Sequence, residues 1–243
     1  ICAVSCISMP FVTNIPLEKV SEHAIKNNGV MLGYQSVDDF YDTNSVLVNA
    51  EDLVPEGTVR LDGIKVFSNI KLDEALLEAA SLTYHAGSIM FQLFTDVIES
   101  SNGMLYPIEN YSYEESLGMC GWINNKRVLF GNRELMTAHN IEGIPTKTKE
   151  AEYIQGGKEA MYLSISGNLA AVFIVDIIPD KSTRRWARKL CRSKICMFVK
   201  SVDPCLSVRS LSKLLDIPED MIRILPKKLH EDFDAETKKA VRL

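Results

Sequence analysis

Two antiparallel hairpins interrupt a chain that otherwise alternates strand and helix, and this interruption limits the fold more than any other feature. One hairpin is "CGWINNKRVLFGN", turning at Asn124-Asn125; the other is "AMYLSISGNLAAVFIVDI", turning at Ser166-Gly167-Asn168. Polar turn residues between apolar runs of β-branched and aromatic residues are the hairpin signature. Outside this block, short apolar strands at 45–48, 195–200 and 221–225 are separated by helical periodicity, the pattern of an open parallel sheet. Parallel neighbours need long crossovers, whereas hairpins pair antiparallel. The expected fold is therefore α/β: a Rossmann-like parallel sheet interrupted by an inserted antiparallel α+β unit spanning about 67–175. That predicts two lobes.

The composition fits a globular chain. With 46% hydrophobic and 24% charged residues over 243 positions, it can bury a core in one large or two modest domains. A net charge of −5 argues against a general nucleic-acid binder, and no nucleic-acid partner is expected. The cysteines at 2, 6, 120, 191, 196 and 205 form no C-x-x-C pair, so neither a zinc site nor a disulfide framework is indicated. His85 and His139 are isolated, and no metal site is predicted.

Along the chain, "ICAVSCISMPFV" is apolar but too short to span a bilayer. It lacks an initial Met and a basic flank, so it does not read as a signal peptide. "KKAVRL" stops within a helical pattern, and the chain is expected to be a piece of a longer protein. A helix is predicted from near Pro16 to Gly29, then a short strand "GVMLGY" and a brief helix "SVDDFY". "KLDEALLEAASLT" and "SIMFQLFTDVIES" read as amphipathic helices. The stretch from Ser101 to Met119 is turn-rich. "KSTRRWARKLCRS" reads as a basic helix whose cations form a solvated face, with an electrostatic role open.

The strand 45–48 delivers a polar cluster, Asn49-Ala50-Glu51-Asp52, at its carboxyl end, where parallel sheets place their chemistry. The residues themselves allow a simple turn, with Asn49 satisfying its own backbone. Gly131-Asn132 reads as a strand-to-helix junction with Asn132 as helix cap. Gly156-Gly157-Lys158 is too short for a phosphate-binding P-loop and reads as a helix cap.

Four ordered segments carry a family resemblance. "KNNGVMLGYQSVDDF", "KRVLFGNRELM", "GGKEAMYLSISGNLAAVFIVDI" and "LLDIPEDMIRILPKK" resemble, in sequence order, segments of the heavy-metal branch of P-type cation ATPases. The resemblance implies a haloacid-dehalogenase-like phosphorylation domain carrying an inserted nucleotide-binding domain. On that plan residues 1–38 are the end of a membrane helix and its stalk, and 39–66 the first part of the phosphorylation-like domain. The insertion is 67–175, and 176–243 is a truncated second part. The implied partners are the membrane helices of the full-length chain and a nucleotide, at the cytoplasmic face of the cell membrane.

The departures bear on activity. The family's D-K-T-G-T-L-T loop, aligned on Glu56-Gly57, puts Asn49 at the phosphorylated aspartate and Ala50 at the lysine. An asparagine amide cannot form the aspartyl-phosphate. Asp52 substitutes only if the loop shifts by three residues. "SVDP" after Lys200 stands where the family has T-G-D-N, so Ser201 and Asp203 take the hydroxyl and carboxylate positions. Ala86-Gly87-Ser88-Ile89 replaces S-E-H-P and loses its adenine-contacting histidine. Gly118-Met119-Cys120 retains one glycine of the family's G-x-G. Gly118, Gly131, Asn132, Gly157 and Lys158 are the implied nucleotide contacts, with ATP and magnesium bound weakly or not at all. Cys2 and Cys6 lack the intervening proline of the family's metal-binding Cys-Pro-Cys and read as two buried thiols. The resulting expectation is a P-type ATPase-like protein unable to form the phosphoenzyme. An active ATP-driven cation pump, using Asp52 or another alignment of the loop, is the alternative; a soluble phosphatase is disfavoured by the missing aspartate and by the segment that resembles a membrane-helix exit.

Overall fold

The computed structural model describes residues 2–26, 29–31, 33, 35–67, 71–100, 104–178 and 180–241, in two compact units, Ile1–Asn44 and Ser45–Leu243. The first unit holds α1 (Cys2–Lys26) and α2 (Gln35–Tyr41). The predicted helix start near Pro16 is corrected: α1 runs continuously through Pro10 and Pro16, joining the apolar opening to the amphipathic stretch. The Gly29 amide donates to the Ala24 carbonyl at 2.8 Å and closes its end. The strand expected over 29–34 does not form at its described positions, while residues 32 and 34 lie outside the described set. The side chains of Cys2 and Cys6 also lie outside it. No described helix is long and apolar enough to cross a membrane.

The second unit opens with β1 (Ser45–Asn49), α3 (Ala50–Leu53), β2 (Val59–Val66) and α4 (Leu72–Ala86). A 3-10 segment, Ile89–Phe94, leads into α5 (Thr95–Ser100), so the single helix read over 88–100 is two different turns of chain. Then come β3 (Glu109–Glu114), β4 (Gly118–Ile123), β5 (Lys126–Gly131), α6 (Arg133–Ala138) and α7 (Lys147–Tyr153). β6 (Glu159–Ile165), β7 (Asn168–Ile177), α8 (Lys181–Arg192) and β8 (Cys196–Lys200) follow. α9 (Val208–Leu215), β9 (Ile222–Leu225) and α10 (His230–Val241) complete it.

These strands make two sheets. β1, β8 and β9 pair in parallel in the order β1-β8-β9, as the strand–helix alternation predicts. The other six form an antiparallel sheet ordered β2-β7-β6-β5-β4-β3. Asn124 and Asn125 both have positive φ (49° and 61°), which is what a two-residue turn matching strand twist requires. Ser166 and Gly167 repeat the arrangement at 52° and 86°. β2 pairs with β7 along Val59–Val66, so the segment 39–66 contributes strands to both sheets.

The inserted sheet is separate, but its core is not. Phe94, Phe130 and Phe173 meet edge-on with ring centroids 5.5–6.3 Å apart on one face of the antiparallel sheet. Such pairs contribute about 1 kcal/mol each beyond area burial. The same buried cluster continues through Met90, Cys205 and Leu206 to Val199, Leu211 and Ile222 of the parallel sheet. A second cluster, including Leu129, Leu135 and Tyr162, covers the opposite face of the antiparallel sheet. With apolar cover on both faces, β5 and β6 read as nearly unbroken apolar runs, which strict alternation does not predict.

Candidate functional site

A cavity of about 450 Å³ opens at the carboxyl ends of β1 and β8. The parallel register sets Asn49 beside Lys200, the last residue of β8. Asn49 is exposed and stands at the amino end of α3, but its side chain makes no capping hydrogen bond. The turn reading, in which its amide satisfies its own helix end, is therefore not what the structure contains. Ala50 is buried beneath it, whereas Glu51 and Asp52 point to solvent. Asn49 and Glu51 line the cavity; Asp52 is not among its lining residues.

The loop after β8 supplies the opposite wall. Ser201 and Asp203 are 7% and 4% exposed. The Ser201 hydroxyl donates to Asp203 Oδ2 at 3.1 Å and accepts from the Asp203 amide at 3.0 Å. Asp203 also accepts from the hydroxyl of Ser88, and the amides of Ile89 and Met90 nearby favour its charged form. Burial still outweighs these donors and pushes its pKa up to about 6. Ser88 in turn accepts from the Met90 amide at 3.1 Å, capping the 3-10 segment. The 86–89 turn is thus fastened onto the loop after β8, and Ala86, Gly87 and Ile89 line the cavity from that side.

Neither lysine of the cavity is a free cation. Lys200 Nζ lies 2.6 and 2.7 Å from the two carboxylate oxygens of Asp234. Lys227 Nζ sits 4.9 Å from the ring centroids of both Tyr111 and Tyr113, and burial lowers its pKa. His230 donates from Nε2 to the Leu225 carbonyl at 2.9 Å.

The five implied nucleotide contacts fall into two places. Gly118 and Gly131 face each other in the β4–β5 pairing. A Cβ on Gly118 would lie 2.4 Å from the Phe130 carbonyl oxygen, and one on Gly131 2.3 Å from that of Leu117 and 2.7 Å from Leu135 Cδ2. The space left by the missing side chains is therefore filled by protein. Asn132 caps α6 as its sequence context predicts, accepting from the Leu135 amide at 3.1 Å and donating to the Ser116 carbonyl at 2.7 Å. Gly157 and Lys158 line a different cavity of about 700 Å³, and Lys158 Nζ is paired with Asp62 at 2.7 Å. Ile154, not the glycine pair, caps α7; Gly156 and Gly157 make the positive-φ turn beyond it. No group of three or more metal-ligating side chains occurs among the described residues.

The structure thus brings Asn49, Ser201 and Asp203 to one cavity and leaves the other predicted residues elsewhere. Ser88 as a tie, the tyrosines under Lys227, and Lys200, His230 and Asp234 were not predicted. Of these, only "YSY" carries a local signal, since tyrosines two apart share one face of a strand.

No protein-family model matches the chain. Among curated proteins it is similar to the copper-transporting ATPase 2 of Rhizobium meliloti (strain 1021), 20% identical over 186 residues. That match covers 76% of this chain, and the chain spans about a fifth (22%) of the relative's length. This relative is a copper-transporting ATPase, the kind of protein that the four ordered segments resemble. Among solved structures, the catalytic domain of the CPx-ATPase CopB-B aligns at 15% identity with a TM-score of 0.47, covering 80% of this chain and 66% of that one. A zinc-transporting PIB-type ATPase in its E2.Pi state aligns at 12% identity with a TM-score of 0.43, covering 84% of this chain and 32% of that one.

Proposed function

We propose that this chain is the cytoplasmic phosphorylation and nucleotide-binding part of a P-type ATPase-like membrane protein that does not form an aspartyl-phosphate. Its role is then regulatory or structural beside the membrane helices of its full-length protein. One observation carries the reading: the strand tip where a nucleophile belongs holds Asn49, in a cavity closed from the far side by the Ser88–Asp203 tie. An amide cannot take up a phosphoryl group as a carboxylate does. Asp52, the alternative acid, is exposed and outside the cavity lining, and no geometry favours it.

The residues present do not fit ATP and magnesium. Gly118 and Gly131 are packed against backbone and Leu135, both ends of the Asn132 amide are used, and Ser88 is engaged with Asp203. Each lost polar or stacking contact costs about 1–3 kcal/mol, or roughly one to two decades in affinity. Calorimetric titration of the 243-residue chain with magnesium-ATP is expected to give no binding in the micromolar range. A micromolar dissociation constant overturns this expectation.

The direct test is phosphoenzyme formation in the full-length protein. Incubation with ATP and magnesium is expected to leave no acid-stable, hydroxylamine-labile phosphate on the wild type. Asn49→Asp alone is expected to remain at background. Ala50 still lacks the neighbouring cation, Lys200 stays bound to Asp234, and Glu51 adds a negative charge beside the new carboxylate. Phosphoryl transfer depends on positioning and charge neutralisation, so restoring one group leaves the rate short by decades. Labelling of the wild type would point to an active pump, and strong labelling of Asn49→Asp would mean that the surrounding loop is intact.

A further inference from the structure

We infer that α8 is a docking surface for an anionic lipid bilayer. Its cations fall at Lys181, Arg184, Arg185, Arg188, Lys189 and Arg192, the i, i+3, i+4, i+7, i+8, i+11 positions that share one helical face. Thr183, Trp186, Ala187, Leu190 and Cys191 occupy the other face and pack inward, Thr183 and Ala187 being fully buried. The helix contains no acidic residue, in a chain whose net charge is −5, so the residues outside it together carry a net negative charge. Arg188 meets Asp216, and Arg184 Nε donates to the Leu214 carbonyl at 2.7 Å. Lys181, Arg185, Lys189 and Arg192 have no hydrogen-bond or ion-pair partner among the described residues. Like charges three and four residues apart repel, so the fold maintains an uncompensated array that an anionic surface would relieve.

The shape of the array selects the partner. The shallow furrow it forms is lined by these six side chains alone, so no second element converges on it to cradle a small anion. Twelve residues of helix make a straight strip about 18 Å long. Trp186 is turned to the core, and the strip offers no aromatic platform for stacking nucleobases. Lys/Arg clusters of this size on an amphipathic helix match a flat field of lipid phosphates. The net negative balance outside the helix is repelled from the same field, which favours landing on this face.

This surface lies outside the cavity at Asn49 and does not depend on the reading of that cavity. The test is co-sedimentation of the 243-residue chain with vesicles of equimolar phosphatidylserine and phosphatidylcholine, and with phosphatidylcholine alone. Binding is expected to the anionic vesicles only, and to vanish at about 0.5 M salt, where the Debye length falls to a few ångströms. Arg185→Gln/Lys189→Gln/Arg192→Gln is expected to weaken partitioning roughly a hundredfold, about fivefold per cation. Arg185→Lys/Arg192→Lys should retain it, and a far-UV spectrum and melting curve check that each variant is folded. If the triple variant unfolds, Arg185→Gln/Lys189→Gln serves in its place. Failure of the wild type to bind at low salt, or equal binding by a folded glutamine variant, overturns the proposal. Tighter binding to a duplex or single-stranded oligonucleotide that strips the chain from vesicles overturns it in favour of nucleic acid.

Discussion

Replacing Gly131 by alanine is expected to destabilise the fold by about 3 kcal/mol or more, at the upper end of the range for overpacking a core. The new methyl would sit 2.3 Å from the Leu117 carbonyl oxygen and 2.9 Å from the Gly118 Cα, both backbone atoms of the same sheet. A flexible side chain could swing away; a paired strand cannot. Gly118→Ala should do at least as much harm, because its φ of 149° adds backbone strain to a 2.4 Å contact with the Phe130 carbonyl oxygen. At about 2–4 °C per kcal/mol for a chain of this size, the melting temperature drops by roughly 6–12 °C. Gly167→Ala separates the two causes. Its φ is also positive, at 86°, but nothing lies within 4 Å of the added carbon, so it should cost only about 1 kcal/mol. Melting curves that place Gly131→Ala level with Gly167→Ala would show that β4 and β5 do not need this close approach.

Stability is expected to rise as the pH is lowered from about 7.5 to about 5, opposite to the trend for a protein held by surface carboxylate pairs. Burial raises Asp203 from 3.8 to about 6, and burial raises Glu78 from 4.5 to about 7, opposed by Lys126 and reinforced by Glu74. Glu78 is 1% exposed, and its Oε2 has no hydrogen-bond partner. Between the unfolded and folded pKa values, the folded chain holds protons that the unfolded chain has released. Unfolding free energy therefore falls with rising pH across that window and levels off above about 7. Between pH 7.5 and pH 5 Asp203 alone accounts for about 1–2 kcal/mol, and Glu78 acts in the same direction. Asp180 opposes this only at the acidic extreme, because the Thr183 amide holds its pKa below the ordinary value. Urea midpoints at the two pH values measure the slope, and Asp203→Asn/Glu78→Gln should flatten it. A wild type more stable at pH 7.5 than at pH 5 would contradict the assignment.

The parallel sheet was legible because its three strands are short apolar runs separated by helical periodicity, each with few alternatives. The hairpins were legible because Asn124-Asn125 and Ser166-Gly167 tolerate positive φ, a demand that few residue pairs meet. β3 was hidden among the turn signals of residues 101–119, since its burial comes from the neighbouring strand and helix rather than from its own composition. Proline hid the continuity of α1, because Pro10 and Pro16 each remove a backbone donor and read locally as boundaries. In the cavity, Asn49 was singled out because parallel sheets carry their chemistry at strand ends, whereas Ser201 and Asp203 came only from the likeness of "SVDP" to the family's T-G-D-N. Ser88 could not be placed: its bond to Asp203 joins residues 115 positions apart, and no local pattern announces such a pair. Lys227 was equally silent, since its tyrosines lie more than a hundred residues upstream.

One buried cluster underlies both sheets, and this changes what the inserted block is. The block keeps a core of its own on one face of its sheet, but its other face shares the cluster of the parallel sheet. Here Met90 and Phe94 belong to the same apolar mass as Cys205 and Leu206, so any cut at the ends of the block runs through that mass. Separating the halves would bare apolar surface on both and strip Asp203 of its Ser88 donor at once. Opening a cleft between the sheets is thus a partial unfolding rather than a swing of two rigid bodies.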